Sequence, residues 1–113
     1  MRIGADYYPE HWEKERWKTD AEMMVKANIK VIRIGEFAWS LYEPEEGKYE
    51  FDWMDEALDF FGKYGIKVVM CTPSATPPKW MIDKYPDILQ NDIHGNPKLF
   101  GTRKHYCFNS ETD

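Results

Sequence analysis

Two nine-residue stretches, 37 positions apart, limit the possible folds more than any other feature of the chain. "KANIKVIRI" (Lys26 to Ile34) and "KYGIKVVMC" (Lys63 to Cys71) are identical at Lys26/Lys63, Ile29/Ile66, Lys30/Lys67 and Val31/Val68. Each begins where an amphipathic segment ends, at Asn28 or Gly65, the residue types that best tolerate a left-handed stop after a helix. Each then passes directly into a short β-branched run. A helix followed at once by a strand, and repeated, describes βα units. Helical crossovers return the chain to the same end of the sheet, so the strands must run parallel.

The spacing of apolar residues fills in the order. Trp17, Ala21, Met24 and Val25 share one face of a helix predicted over 13–27. Ala57, Leu58, Phe61 and Tyr64 mark a second helix over 53–64, with Asp52 as its N-cap and Asp55 three residues on. In "TPPKWMIDKY" a third helix is predicted over 77–84, capped by Thr76 with Pro77 at its first position. Strands are predicted over 2–6, 30–36 and 66–72. No G-x-G-x-x-G follows the first strand and no Walker loop is present, so nucleotide-binding doubly wound folds lack their fingerprint. A (β/α)8 TIM barrel of roughly 250 residues divides into eight units of about 31 residues. The expectation is therefore an α/β chain holding roughly the first three βα units of such a barrel, residues 1–113 forming the N-terminal portion of a truncated catalytic domain. "NSETD", where Ser110 and Asp113 resemble the start of a capped helix, reads as a cut end.

Composition narrows the function. The net charge of −5, with no basic cluster larger than Arg103, Lys104 and His105, argues against nucleic acid as a partner. No apolar run is long enough for a membrane span, and no basic-then-apolar leader opens the chain, so a cytoplasmic location is expected. Cys71 and Cys107 make no disulfide framework; Cys71 is expected in the core, and a bridge between the two is not expected in a reducing compartment. Aromatic residues make up 16% of the chain, enough to build a core and to supply stacking surfaces for sugars or bases.

The second strand carries the chemistry. Side chains alternate along a strand, so Ile32 and Ile34 share one face while Val31, Arg33 and Gly35 share the other. If the branched pair meets the helices, Arg33 points into the barrel near its C-terminal mouth. A guanidinium there stays charged and needs an acid. Two readings are open: a structural pair with Asp6 or Glu36, or an arginine that orients a catalytic carboxylate. The C-terminal ends of barrel strands are where such enzymes place their chemistry, which favours the second.

"GADYYPEHW", "VIRIGEFAWSLYEPEEGKYEFDWMD", "CTPSATPPKWM" and "GTRKHYCFNS" together resemble the opening segments of glycoside hydrolase family 42, the β-galactosidases built on a (β/α)8 barrel. The resemblance runs from Gly4 to Ser110. It implies part of a retaining β-galactosidase that hydrolyses terminal β-D-galactosides in small oligosaccharides, using one glutamate as acid/base and another as nucleophile. No glutamate of this chain matches either family motif, so no catalytic residue is assigned, and the chain alone is expected to be inactive. Arg33 matches the second-strand arginine beside the nucleophile, and Arg103 matches an arginine that binds galactose hydroxyls. Cys107 matches the first member of a four-cysteine zinc cluster found in part of the family. The chemistry requires no cofactor, and a structural zinc belongs to the full-length protein. The implied partners are a galactoside and either further copies of the chain or the remainder of the barrel. The alternative functions are a non-catalytic carbohydrate-binding or interaction module and one half of a split glycosidase.

Other positions carry open readings. Phe37 and Trp39 could floor a sugar site or simply pack. Trp12, Trp17 and Trp80 read as core or rim, and the stiff "TPSATPP" loop as a segment of the active-site face. His94 and His105 lack metal-ligand spacing, although His105 could help shape a site with Arg103. "EPEEGKYEF" reads as a solvated turn.

Overall fold

The computed structural model of the chain describes residues 1–98 and 106–107. The order is β1 (Ile3–Asp6), a 3-10 turn (Pro9–His11), α1 (Lys14–Lys26), β2 (Ile29–Ile34), α2 (Trp39–Tyr42), α3 (Asp52–Lys63), β3 (Lys67–Met70), α4 (Lys79–Lys84) and a second 3-10 turn (Pro86–Ile88). The three strands form one sheet in the order β1-β2-β3, parallel at both joins. Asp6, Arg33 and Val69 lie at one level across it, and Ala5, Ile32 and Val68 at the next. Two compact units divide the chain: Met1–Glu36 with Phe51–Thr72, and Phe37–Glu50 with Pro73–Asp113.

The first unit contains the sheet with α1 and α3. Ile32 and Ile34 are fully buried, as are Phe61 and Met54 of α3, while Trp17, Ala21 and Met24 form the buried stripe of α1. Burying each large apolar side chain contributes roughly 1.5–3 kcal/mol. Phe61 meets Tyr7 edge-on at 5.2 Å, and the Trp17 indole donates from Nε1 to the Pro9 carbonyl at 3.0 Å. At Gly4 the two strands come so close that a Cβ would stand 3.0 Å from the Val31 carbonyl oxygen.

The repeat has a shared backbone geometry. Asn28 (φ 58°) and Gly65 (φ 71°) both sit in the left-handed region, each closing a helix just before a strand. The Asn28 N–H donates to the Val25 carbonyl at 3.0 Å, and the Gly65 N–H to that of Gly62 at 2.9 Å. Turning the chain this sharply lets the strand start at once.

Several expectations need correction. Val25 is exposed, because it lies about 80° around α1 from Trp17, outside the buried stripe. Phe51, not Asp52, holds the cap position of α3 and makes no side-chain cap bond; Asp52 is the first helical residue and, with Asp55, complements the positive end of the helix. Thr76 does not cap α4 and Pro77 is not helical. Pro78 follows Pro77 and disfavours a helical conformation there, so the cap falls on Pro78 itself (ψ 157°) and the helix starts at Lys79. β2 and β3 end two residues earlier than expected, where Gly35 turns to φ 84°; one further ladder bond survives, from the Cys71 N–H to the Ile34 carbonyl at 2.9 Å.

The second unit is small. Met81, Ile82, Ile88 and Tyr106 form its core, with Trp39, Trp80, Tyr85 and Leu89 packed around them. Its hairpin, bridged at Asn91 and Pro97, is organised by Asp92, whose Oδ1 accepts from the N–H groups of His94 (2.8 Å) and Asn96 (2.9 Å).

Candidate active-site face

The C-terminal end of the sheet gathers the polar groups of the first unit. Ile32 and Ile34 are buried, so Arg33 projects from the opposite face, as the alternation predicts. Its Nε donates to Asp6 Oδ1 at 2.9 Å, and its Nη2 to Asp6 Oδ2 at 3.4 Å and Glu36 Oε2 at 2.8 Å. Asp6 reaches it because the parallel register places the two residues side by side, and Glu36 because the chain turns at Gly35. The pairing expected from sequence is thus made with both acids. The hydrogen bond and charge of Asp6, then the charge of Glu36, raise the Arg33 pKa further above its already high value. Bonds through Nε and Nη2 leave the two N–H groups of Nη1 for a further acceptor. A shallow concavity of about 330 Å³ lies here, lined by Gly4, Ala5, Asp6, Val31 and Arg33.

Tyr8 belongs to the same surroundings. Partial desolvation, then the charges of Asp6 and Glu36, push its phenol pKa up, so it stays a neutral donor at ordinary pH. Tyr7, on the helix-facing side, donates to Asp20 Oδ2 at 2.8 Å, and Asp20 Oδ1 also accepts from Arg16 Nε at 2.7 Å. Burial and Asp20 together push the Tyr7 pKa well above its ordinary range. Cys71 is half-buried at the end of the β3 ladder, not in the core as expected. By alternation it shares the Arg33 face, away from the packed helices.

In the second unit the decisive group is one that the sequence hid. Glu43 opens the stretch expected to be a solvated turn, yet it is only 7% exposed. Its Oε2 accepts from Trp39 Nε1 at 2.9 Å and its Oε1 from the Gly47 N–H at 2.8 Å. Its main-chain carbonyl accepts from Trp80 Nε1 at 2.8 Å. The Trp39 ring also makes a T-shaped contact with Tyr106, centroids 6.3 Å apart, and packs against the core of the second unit, so the packing reading holds for part of Trp39. Trp17 is core, Trp80 is partly buried against the core of the second unit and Trp12 is about half exposed. A glutamate four residues after a tryptophan and four before a glycine was the only available signal.

Arg103 and His105 lie outside the described residues, as do Ser110 and Asp113. Cys107 is a half-buried free thiol whose N–H donates to the Ile88 carbonyl at 2.7 Å. Among the described residues no group of three or more His, Cys, Asp or Glu could hold a metal. A tetrahedral structural zinc needs four ligands, and Cys107 alone does not make such a site. Among the described residues, no helix is long and apolar enough to cross a membrane.

Comparison with known proteins places this arrangement. A family model described as beta-galactosidase, glycoside hydrolase family 42, matches residues 6–112. The Thermus thermophilus beta-galactosidase is 56% identical over 108 residues, which cover 96% of this chain and 17% of that protein. The beta-galactosidase BgaH of Haloferax lucentense is 51% identical over 112 residues, covering 99% and 17%. Among solved structures, the beta-galactosidase of the Antarctic haloarchaeon Halorubrum lacusprofundi superposes with a TM-score of 0.91 at 47% identity, covering 98% of this chain and 17% of that one. The chain thus spans about a sixth of the length of these relatives. With a family match across almost its whole length and relatives at half identity or better, the chain belongs to the glycoside hydrolase family 42 β-galactosidases.

Proposed function

We propose that residues 1–113 are the N-terminal portion, about three βα units, of the (β/α)8 catalytic barrel of a retaining β-galactosidase that acts on terminal β-D-galactosides in small oligosaccharides. The observation that carries this reading is Arg33: a charged side chain at the C-terminal end of the central parallel strand, on the face turned away from the helices. Barrel enzymes concentrate their chemistry at that end.

In a retaining hydrolase one carboxylate attacks the anomeric carbon while a carboxylic acid protonates the departing oxygen. Water then releases the sugar, and the two carboxyl groups stand about 5–5.5 Å apart. Both come from the rest of the whole protein. The role of Arg33 is positional and electrostatic. Asp6 and Glu36 hold its guanidinium plane, and the donors of Nη1 are left for the nucleophile. A cation beside a carboxylate favours its ionised form. Tyr8 adds a neutral phenol donor beside it. Arg103 binds galactose hydroxyls. The chemistry needs no cofactor, and a structural zinc in the whole protein would take Cys107 with three ligands from elsewhere. The protein works in the cytoplasm with no nucleic-acid or membrane partner.

A full-length chimera tests the reading, with residues 1–113 replacing the matched segment of the Thermus thermophilus relative. The chimera should hydrolyse a chromogenic β-galactoside and the isolated chain should not. Arg33→Ala in the chimera should lower kcat/KM by about a hundredfold or more, the scale of losing one transition-state donor. An inactive chimera, or an unaffected Arg33→Ala variant, would overturn it.

A further inference from the structure

We propose that Glu43 is a positioning residue whose buried carboxylate fixes the Trp39 indole as a stacking wall for a pyranose ring. The inference rests on the β-galactosidase reading above and deepens it. Among the described residues, no lysine or arginine pairs with Glu43; its two oxygens are satisfied by two neutral N–H donors, one each from Trp39 and Gly47. Burying a carboxylate without a cation is costly, and those bonds offset the cost only while both are made. The donors reach different oxygens, so a glutamine could satisfy only one and would turn its own N–H₂ toward the other. Closing the 43–47 turn needs only the Gly47 bond. The second bond has a different consequence, because it fixes an indole.

Trp39 is held at two places: its N–H by Glu43, and its ring in a T-shaped contact with Tyr106 at an interplanar angle of 69°. The residue packs against the core of the second unit and is only partly buried, so some of its surface stays open. The residue opens α2, five positions past the end of β2, on the connection leaving the C-terminal end of the sheet. An indole whose N–H donates to an anion carries more electron density on its faces. That strengthens its attraction for the weakly positive C–H groups on the apolar side of a sugar such as galactopyranose. Through its main-chain carbonyl, Glu43 also receives the Trp80 indole of α4, which keeps the clamp from turning as a whole.

Steady-state kinetics of the full-length chimera decide it. Glu43→Gln should raise the galactoside KM about tenfold and leave kcat within about twofold, the scale of one hydrogen bond to a charged group. Trp39→Phe keeps a ring face but has no N–H for Glu43 to hold. In that background, adding Glu43→Gln should change KM no further, since the two residues act as one unit. If Glu43→Gln lowers the melting temperature with KM unchanged, or changes KM by the same factor with and without Trp39→Phe, the inference fails. Should Glu43→Gln not fold, Trp39→Phe alone decides: the turn bond to Gly47 is untouched, and an unchanged KM overturns the proposal. A wild-type chimera without galactosidase activity would overturn the β-galactosidase reading itself, and this inference with it.

Discussion

At the scale of single residues, charges that solvent weakens differ from charges that the fold encloses. Arg33 keeps 45% of its side chain exposed and Asp6 keeps 54%, so as an ion pair they add little to stability. Arg33→Ala in the isolated chain should leave the urea denaturation midpoint close to that of the wild type. A marked fall in the midpoint would make Arg33 a structural residue rather than a functional one. The face on which Arg33 lies was legible from alternation alone, because Ile32 and Ile34 leave it no other side. Glu43 was not legible. In a run as acidic as "EPEEGKYEF" every carboxylate reads as solvated, whereas the return of the chain through Gly47 (φ 75°) and the indole of Trp39 enclose this one.

At the scale of elements, the repeat was legible because a left-handed residue between helix and strand is a local requirement that few residue types meet. Gly65→Ala should destabilise the chain by about 1 kcal/mol: no atom lies within 4 Å of the added Cβ, so the cost is the positive φ itself. Asn28→Gly should leave stability within about 0.5 kcal/mol, since asparagine already accepts that conformation. Equal effects at the two positions, compared by denaturation midpoints, would break the equivalence of the two units. The start of α4 is not legible from Thr76 and the apolar spacing, because Pro78 denies Pro77 a helical conformation and moves the cap two residues on. The hairpin gives a pH test. The backbone N–H of Asn96 leads the interactions that hold the Asp92 carboxylate below its ordinary 3.8. A pKa lowered by folding means that the contribution of Asp92 is full above the unfolded value and is lost as pH falls through the folded one. Hydrogen-exchange protection at the His94 and Asn96 amides, corrected for intrinsic rate, should therefore fall below about pH 4. It should be independent of pH in Asp92→Asn, which keeps a neutral acceptor. Protection in the wild type that does not change with acidification would remove Asp92 from that role.

At the scale of the whole molecule, the three strands are joined only to one another, so among the described residues β1 and β3 are both edge strands. Val69 and Met70 of β3 are each 50% exposed, and Ile3 of β1 nearly as much. Beside β1 runs a groove of about 400 Å³ with Trp12, Met23, Met24 and Ile29 among its lining residues. In a complete barrel such surfaces are interior seams; on a short chain in water they are unpaired backbone next to apolar surface, the combination that drives edge-to-edge association. The isolated chain should therefore self-associate at tens of micromolar, with light-scattering mass rising with concentration. Val69→Lys should reduce that association, because it places a charge on the open face beside Arg33 and Lys67 where a neighbouring sheet would have to bury it. It should also leave the helix-facing core untouched, so the melting temperature of the remaining monomer should stay close to that of the wild type. If the wild-type chain is a sharply melting monomer at all concentrations, the open face needs no partner, and the view of these strands as consecutive staves of a larger barrel loses its physical basis.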